Sequence, residues 1–133
     1  MKPLPDAVRG FVRDAPVCRI ATVRPDGVPQ LIPVCPVFDG ETLYVDIAED
    51  GVSASGVRAN GRVTVLIDEY HDDWDELRAV VLRTKAEPIG SERQEAAWRM
   101  IREKFPQYSS VDWTPRLTLA LHIESWTQWG VMP

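Results

Sequence analysis

The residue types with the most chemical reach in this chain are few, and they are unevenly placed. His71 stands in the run His71, Asp72, Asp73, Trp74, Asp75, Glu76. Imidazole and carboxylates together suit several divalent ions, but neighbours in one loop seldom converge on a metal without ligands from elsewhere. An acidic hairpin loop is the simpler reading, and no metal is expected. Cys18 and Cys35 lack the CxxC or Cys/His spacing of a metal site. They read as two buried thiols. A disulfide between them is geometrically conceivable, because their segments should pair through the turn at 24–28, although a cytosolic setting argues against it. His122 falls opposite the leucines of an alternating run, so it is either exposed or at a contact with another subunit. There is no GxSxG and no cysteine with an apparent histidine partner, so chemistry by a protein nucleophile is not indicated. Trp126 and Trp129, three residues apart near the end of the chain, are candidates to stack on a flat ligand, or else to bury apolar area.

Such residues need a scaffold, and the segment Cys18 to Asp68 supplies its outline. β-rich runs are separated by Asp26-Gly27 and Asp39-Gly40, the dipeptide that favours tight hairpin turns because glycine accepts positive φ. Strands are expected at 17–23, 29–38, 41–47, 62–68, 77–87 and 117–126. Pro29, Pro33 and Pro36 each remove a ladder donor, which makes the second strand an edge or an irregular one and leaves backbone groups free to contact something else. Helices are expected at 5–14, where Ala7, Val8, Phe11 and Val12 fall at helical spacing, and from Ser91 to Phe105. Weak helical turns are expected around Ser53 to Ala59. Six antiparallel strands with peripheral helices point to a mainly β fold, a small barrel, in one domain over 1–133.

Composition narrows the classes. With 15 Lys and Arg against 20 Asp and Glu, the net charge is -5 and no basic stripe alternates with aromatics, which disfavours nucleic-acid binding. No apolar run approaches the roughly 20 residues that span a bilayer, so no membrane role is expected. The opening MKPLPDAVRGFVRD carries no secretory h-region, so a cytoplasmic location is expected.

The phrases RIATVRPDGVPQLIPV, FDGETLYVDI, VRANGRVTVLIDEYHDDW and HIESWTQWG, in that order, resemble the pyridoxamine 5'-phosphate oxidase-like, FMN-binding split barrel superfamily. More narrowly they are similar to its small flavin- or deazaflavin-dependent oxidoreductases. The resemblance covers roughly residues 8 to 130. It implies a six-stranded antiparallel split barrel, a homodimer with two flat cofactors at the interface, FMN or deazaflavin as cofactor, and hydride transfer to a small-molecule substrate. By the same resemblance Arg19 would reach the cofactor phosphate; Thr22, Val34, Cys35, Pro36 and Asp46 would lie near the ring or ribityl chain; and Trp126 and Trp129 would approach the partner's cofactor.

One departure stands out. Relatives commonly carry a Lys and an Arg ahead of the fourth strand in a K-x-R-N-x-x-x-x-P-R-V pattern, and here Ser53 and Ser55 occupy those two positions. Losing two charge-assisted contacts of about 1.5–3 kcal/mol each would weaken a phosphate a hundredfold or more unless something compensates. Ser53, Ser55 and the amides of the short helix, with Arg58 one turn on, are the available substitutes. The alternative on the same scaffold is a non-catalytic protein holding haem, flavin or another flat ligand, or a ligand-free dimer.

Overall fold

The computed structural model describes residues 1–110 and 116–133. Its strands are β1 (Cys18–Val23), β2 (Pro29–Val34), β3 (Val37–Phe38), β4 (Thr42–Ala48), β5 (Arg62–Glu69), β6 (Arg78–Ile89) and β7 (Arg116–Trp129); its α-helices are α1 (Asp6–Asp14), α2 (Val52–Asn60) and α3 (Ser91–Lys104). All seven strands join one antiparallel sheet in the order β2-β1-β5-β6-β7-β4-β3. The sheet curls so that β2 approaches β4, giving a half-barrel.

The count of seven rather than six has a local cause. The run 29–38 was expected as one irregular strand, and it breaks at Cys35 and Pro36 into β2, paired with β1, and β3, paired with β4. Proline cannot donate to a ladder, so the chain changes partners where Pro36 sits. Both Asp-Gly turns form. Gly27 has φ +85° and Gly40 φ +106°, while Asp26 Oδ1 accepts from the Val28 amide and Asp39 Oδ1 from the amides of Glu41 and Thr42.

Strand alternation decides what lies inside. Cys18 and Ile20 of β1, Val63, Val65 and Ile67 of β5, Val80 and Leu82 of β6, Leu119 and Leu121 of β7 and Leu43, Val45 and Ile47 of β4 form one buried cluster in the hollow of the curl. Val8, Phe11 and Val12 of α1 add to it. Each such side chain contributes about 1.5–3 kcal/mol by leaving water. A bulge between Arg83 and Thr84 shifts the register of β6 on β7. α3 covers the outer face where β6, β7 and β4 meet, through Ala97 against Ile89 and Ala120, and through Ile101 and Phe105 against Val37.

α2 is a full nine-residue helix, longer than the weak turns anticipated, and it lies against β1 with Ser53, Ala54, Gly56 and Val57 buried. Gly56 permits this contact, because a methyl group there would lie 2.5 Å from the Val23 carbonyl oxygen, and that backbone cannot yield. Gly61, at φ +72°, ends the helix and donates to Val57 O. Gly56→Ala should therefore destabilise the fold by about 1–3 kcal/mol, read as a melting temperature lowered by several degrees. An unchanged melting temperature would contradict the close approach of α2 to β1.

Candidate functional site

The residues expected around a cofactor do not all meet. On β1, Arg19 lies on the open outer face, its guanidinium 3.6 Å from Asp68 Oδ1, whereas Thr22 points into the core and is 1% exposed. Three residues apart on a strand means opposite faces. Thr22 Oγ1 has no hydrogen-bond partner among the described residues, yet it is enclosed by the core and aimed away from the open face.

Val34, Cys35 and Pro36 form the link where β2 passes into β3. Val34 packs on the main core, and Cys35 packs on the smaller cluster under α3 with Ile101 and Phe105. Pro36 is buried and its carbonyl oxygen is taken, because Lys104 Nζ donates to Pro36 O at 2.9 Å, Arg13 O at 2.8 Å and Ala15 O at 2.7 Å. The ammonium thus spends all three donors on backbone, and burial lowers its pKa from the ordinary lysine value. Sequence pattern gave no sign of this tripod. A cleft of about 530 Å³ opens beside it, between the end of α1, β3 and α3.

Asp46 is committed elsewhere as well. Its side chain is 4% exposed under α3, where Oδ2 meets Arg116 Nε at 3.2 Å and Oδ1 accepts from Thr118 Oγ1 at 2.5 Å and Trp98 Nε1 at 3.3 Å. Gln94 and Trp98 also donate to Thr118 Oγ1, and the Arg116 guanidinium lies over the Tyr108 ring at 5.2 Å. A carboxylate so engaged fastens α3 to β4 and β7.

The remaining candidates divide between helix and terminus. Ser53 is 6% exposed and faces the core side of α2, whereas Ser55 is exposed. Gly51 caps α2 without a side chain, and Ser55 N is the first amide bonded back along the helix, to Gly51 O. Gly51 N is taken by Ala48 O and Ala54 is fully buried, which leaves the amides of Val52 and Ser53 to face an anion. Arg58 folds back along α2 so that Nη1 donates to Glu49 O at 2.8 Å, which puts its guanidinium beside the segment leading into that same helix terminus. Glu49 and Asp50 are exposed there and oppose an anion. Trp126 is 7% exposed; its Nε1 donates to Lys2 O at 2.8 Å and Lys2 Nζ sits 4.2 Å from the ring centroid, so the indole packs within its own subunit. Trp129 is 69% exposed on the open face.

Both thiols are free. Burial pushes the Cys18 thiol up to about 12, while Cys35 is half-buried. Among the described residues no three His, Cys, Asp or Glu side chains converge as metal ligands. His71 instead pairs with Glu69 at 3.1 Å. His122 is exposed and pairs with Glu87 at 2.8 Å. Arg93 grips the same carboxylate with two nitrogens, and the hydrogen bonds from Arg93 and then His122 lower the Glu87 pKa to about 2.

Three outcomes follow from these contacts. Asp46→Ala should cost about 3 kcal/mol in denaturant unfolding, because it leaves Arg116 buried without its carboxylate. A thiol reagent should modify Cys35 in the native protein while Cys18 reacts only on unfolding, and equal rates would contradict the burial of Cys18. Glu87 has a depressed pKa, so its contribution to stability is present above about pH 4.5 and is lost as the pH falls towards 2. Glu87→Gln should remove that part of the acid dependence.

No helix among the described residues is long and apolar enough to cross a membrane. No functionally curated protein matches the sequence. Among solved structures, the chain is similar to the heme storage protein HutZ from Vibrio cholerae, with a TM-score of 0.79, 16% identity, and 96% of this chain and 94% of that one covered. It is also similar to a FAD-binding protein from Mesorhizobium loti, with a TM-score of 0.73, 22% identity and 94% of each chain covered. A third, an F420 reductase, gives a TM-score of 0.72 at 19% identity over 93% of this chain and 98% of that one. At these identities the likeness is one of fold, the split barrel. The family described as pyridoxamine 5'-phosphate oxidase matches residues 4–130, and the chain belongs to that family.

Proposed function

We propose that this protein is a cytoplasmic, homodimeric oxidoreductase that binds a flavin-type cofactor, FMN or a deazaflavin, and passes hydride between it and a small organic substrate. The observation that carries the reading is family membership across residues 4–130, joined to a helix terminus able to receive a phosphate. At that terminus the amides of Val52 and Ser53, the exposed Ser55 hydroxyl and the folded-back Arg58 guanidinium are the groups that fit the anion. The buried Ser53 side chain is not one of them. The cofactor, when bound, supplies the redox chemistry. The protein's part is to hold the anion at α2 and to shield the ring on the open sheet face, where Trp129 and Arg19 are available.

A second reading has its own support. With Ser53 and Ser55 where relatives carry a Lys and an Arg, with Arg58 as the cation beside them, and with Glu49 and Asp50 close by, the phosphate cradle is weak, and a phosphate-free flat ligand such as haem avoids that weakness. The fold is shared with both a heme storage protein and an F420 reductase.

Titration of the purified protein with FMN, a deazaflavin and haem, followed by absorbance and fluorescence quenching, separates the two. Micromolar binding of either flavin-type cofactor supports the first reading; haem binding alone supports the second. Arg58→Ala should weaken the phosphorylated cofactor about tenfold or more, and Ser55→Arg should strengthen it by a similar factor. If neither substitution changes the affinity, α2 does not hold the phosphate.

A further inference from the structure

The cleft of about 530 Å³ beside the Lys104 tripod shares no lining residue with α2 or with the open sheet face. Its volume falls within the roughly 300–1,000 Å³ of small-molecule sites. Three elements build it: the last turn of α1, the last turns of α3, and β3. From α3, the Lys104 ammonium bonds to Arg13 O and Ala15 O at the end of α1 and to Pro36 O just before β3. One side chain therefore ties all three walls together. A site held in shape in this way spends little ligand affinity on ordering its own walls.

The lining divides by chemistry. Val37, Phe38 and the half-buried Met100 supply its apolar surface. Arg13 and Asp14 stand exposed at the end of α1, and Glu103 stands exposed on α3. Lys104 Nζ is already spent on carbonyls, and Asp14 lies in the field of that ammonium. This leaves Arg13 on one wall and Glu103 on the other. No hydrogen bond or ion pair engages either side chain among the described residues.

A guanidinium and a carboxylate that line one cleft without bonding each other are each open to the opposite charge on a ligand. A purely anionic ligand would be opposed by Asp14 and Glu103, and a purely cationic one by Arg13 and Lys104. A molecule that carries both charges satisfies both walls, and the apolar surface asks for an apolar body beside them. We propose that this cleft binds an α-amino acid with an apolar side chain: Arg13 takes the carboxylate through paired N–H donors, Glu103 takes the ammonium, and the side chain lies on Val37, Phe38 and Met100. Because no lining residue belongs to α2, the cleft is testable whatever cofactor the protein takes.

Isothermal titration calorimetry of the full chain with L-leucine, L-methionine and L-phenylalanine reads the site directly. At least one of the three should bind saturably. The amine that lacks its carboxylate and the acid that lacks its ammonium should each bind about tenfold or more weakly, because each gives up one charge-assisted contact. Arg13→Gln should weaken the amino acid by a similar factor and leave the amine unchanged, and Glu103→Gln should weaken the amino acid and leave the acid unchanged. Both side chains are exposed and Lys104 is kept, so both variants should retain the wild-type melting temperature, and the comparison of ligands on the wild type needs no variant. No saturable heat from any of the three amino acids at millimolar concentration overturns the site. Amine or acid binding as tight as the amino acid overturns the zwitterion as the ligand, and binding that neither substitution weakens overturns the cleft as its place.

Discussion

The β6–β7 ladder is the constraint on which the rest of the molecule depends. These are the two longest strands, and they pair from Ala79 with Trp129 to Ile89 with Thr118. β6 carries β5 on its far edge and β7 carries β4, so the whole order β2-β1-β5-β6-β7-β4-β3 is assembled outward from this pair. The bulge at Arg83 and Thr84 adds twist at the middle of the ladder, where the sheet must curl to enclose its core. On one side of the bulge the outer face receives α3; on the other it stays open.

That division separates two kinds of polar chemistry. Under α3 the groups are engaged with one another, Asp46 with Arg116, Thr118 and Trp98, and Thr118 with Trp98 and Gln94, and the result is a helix held in one place. On the open side the groups are under-used. Arg19 is loosely paired, Trp129 faces solvent, and the first amides of α2 have no capping side chain. Bonding capacity is unspent on the open side, whereas Asp46, which the family resemblance put near the cofactor ring or ribityl chain, spends its carboxylate on fastening α3.

Much of the architecture was legible in the sequence because its signals are local. The Asp-Gly turns, the alternation of Leu117, Leu119 and Leu121, and the helical spacing of Val8, Phe11 and Val12 each depend on a few neighbouring residues. The break at Pro36 was readable as irregularity but not as a change of partner, because partner choice depends on β4, which no local pattern reveals. Site residues were harder for the same reason. Ser53 and Ser55 look equivalent in sequence, yet one turn of helix against β1 buries the first and exposes the second. Arg58 lies seven residues along the helix from Gly51, and only the folded chain shows it reaching back to Glu49 O. Trp126 and Trp129 form a pair in sequence but stand on opposite faces of β7, and their roles diverge accordingly.

Lys104 bears on the order of events during folding. Its ammonium joins the carbonyls of Arg13, Ala15 and Pro36, at separations of 91, 89 and 68 positions along the chain. Contacts so distant carry the full entropy of closing a long loop, and they become favourable only after the intervening strands have already brought the segments near. The tripod therefore contributes little to the rate at which the sheet assembles. Its energy falls almost wholly on the native side of the barrier, where it slows the escape of α1, the β2–β3 link and α3 from one another.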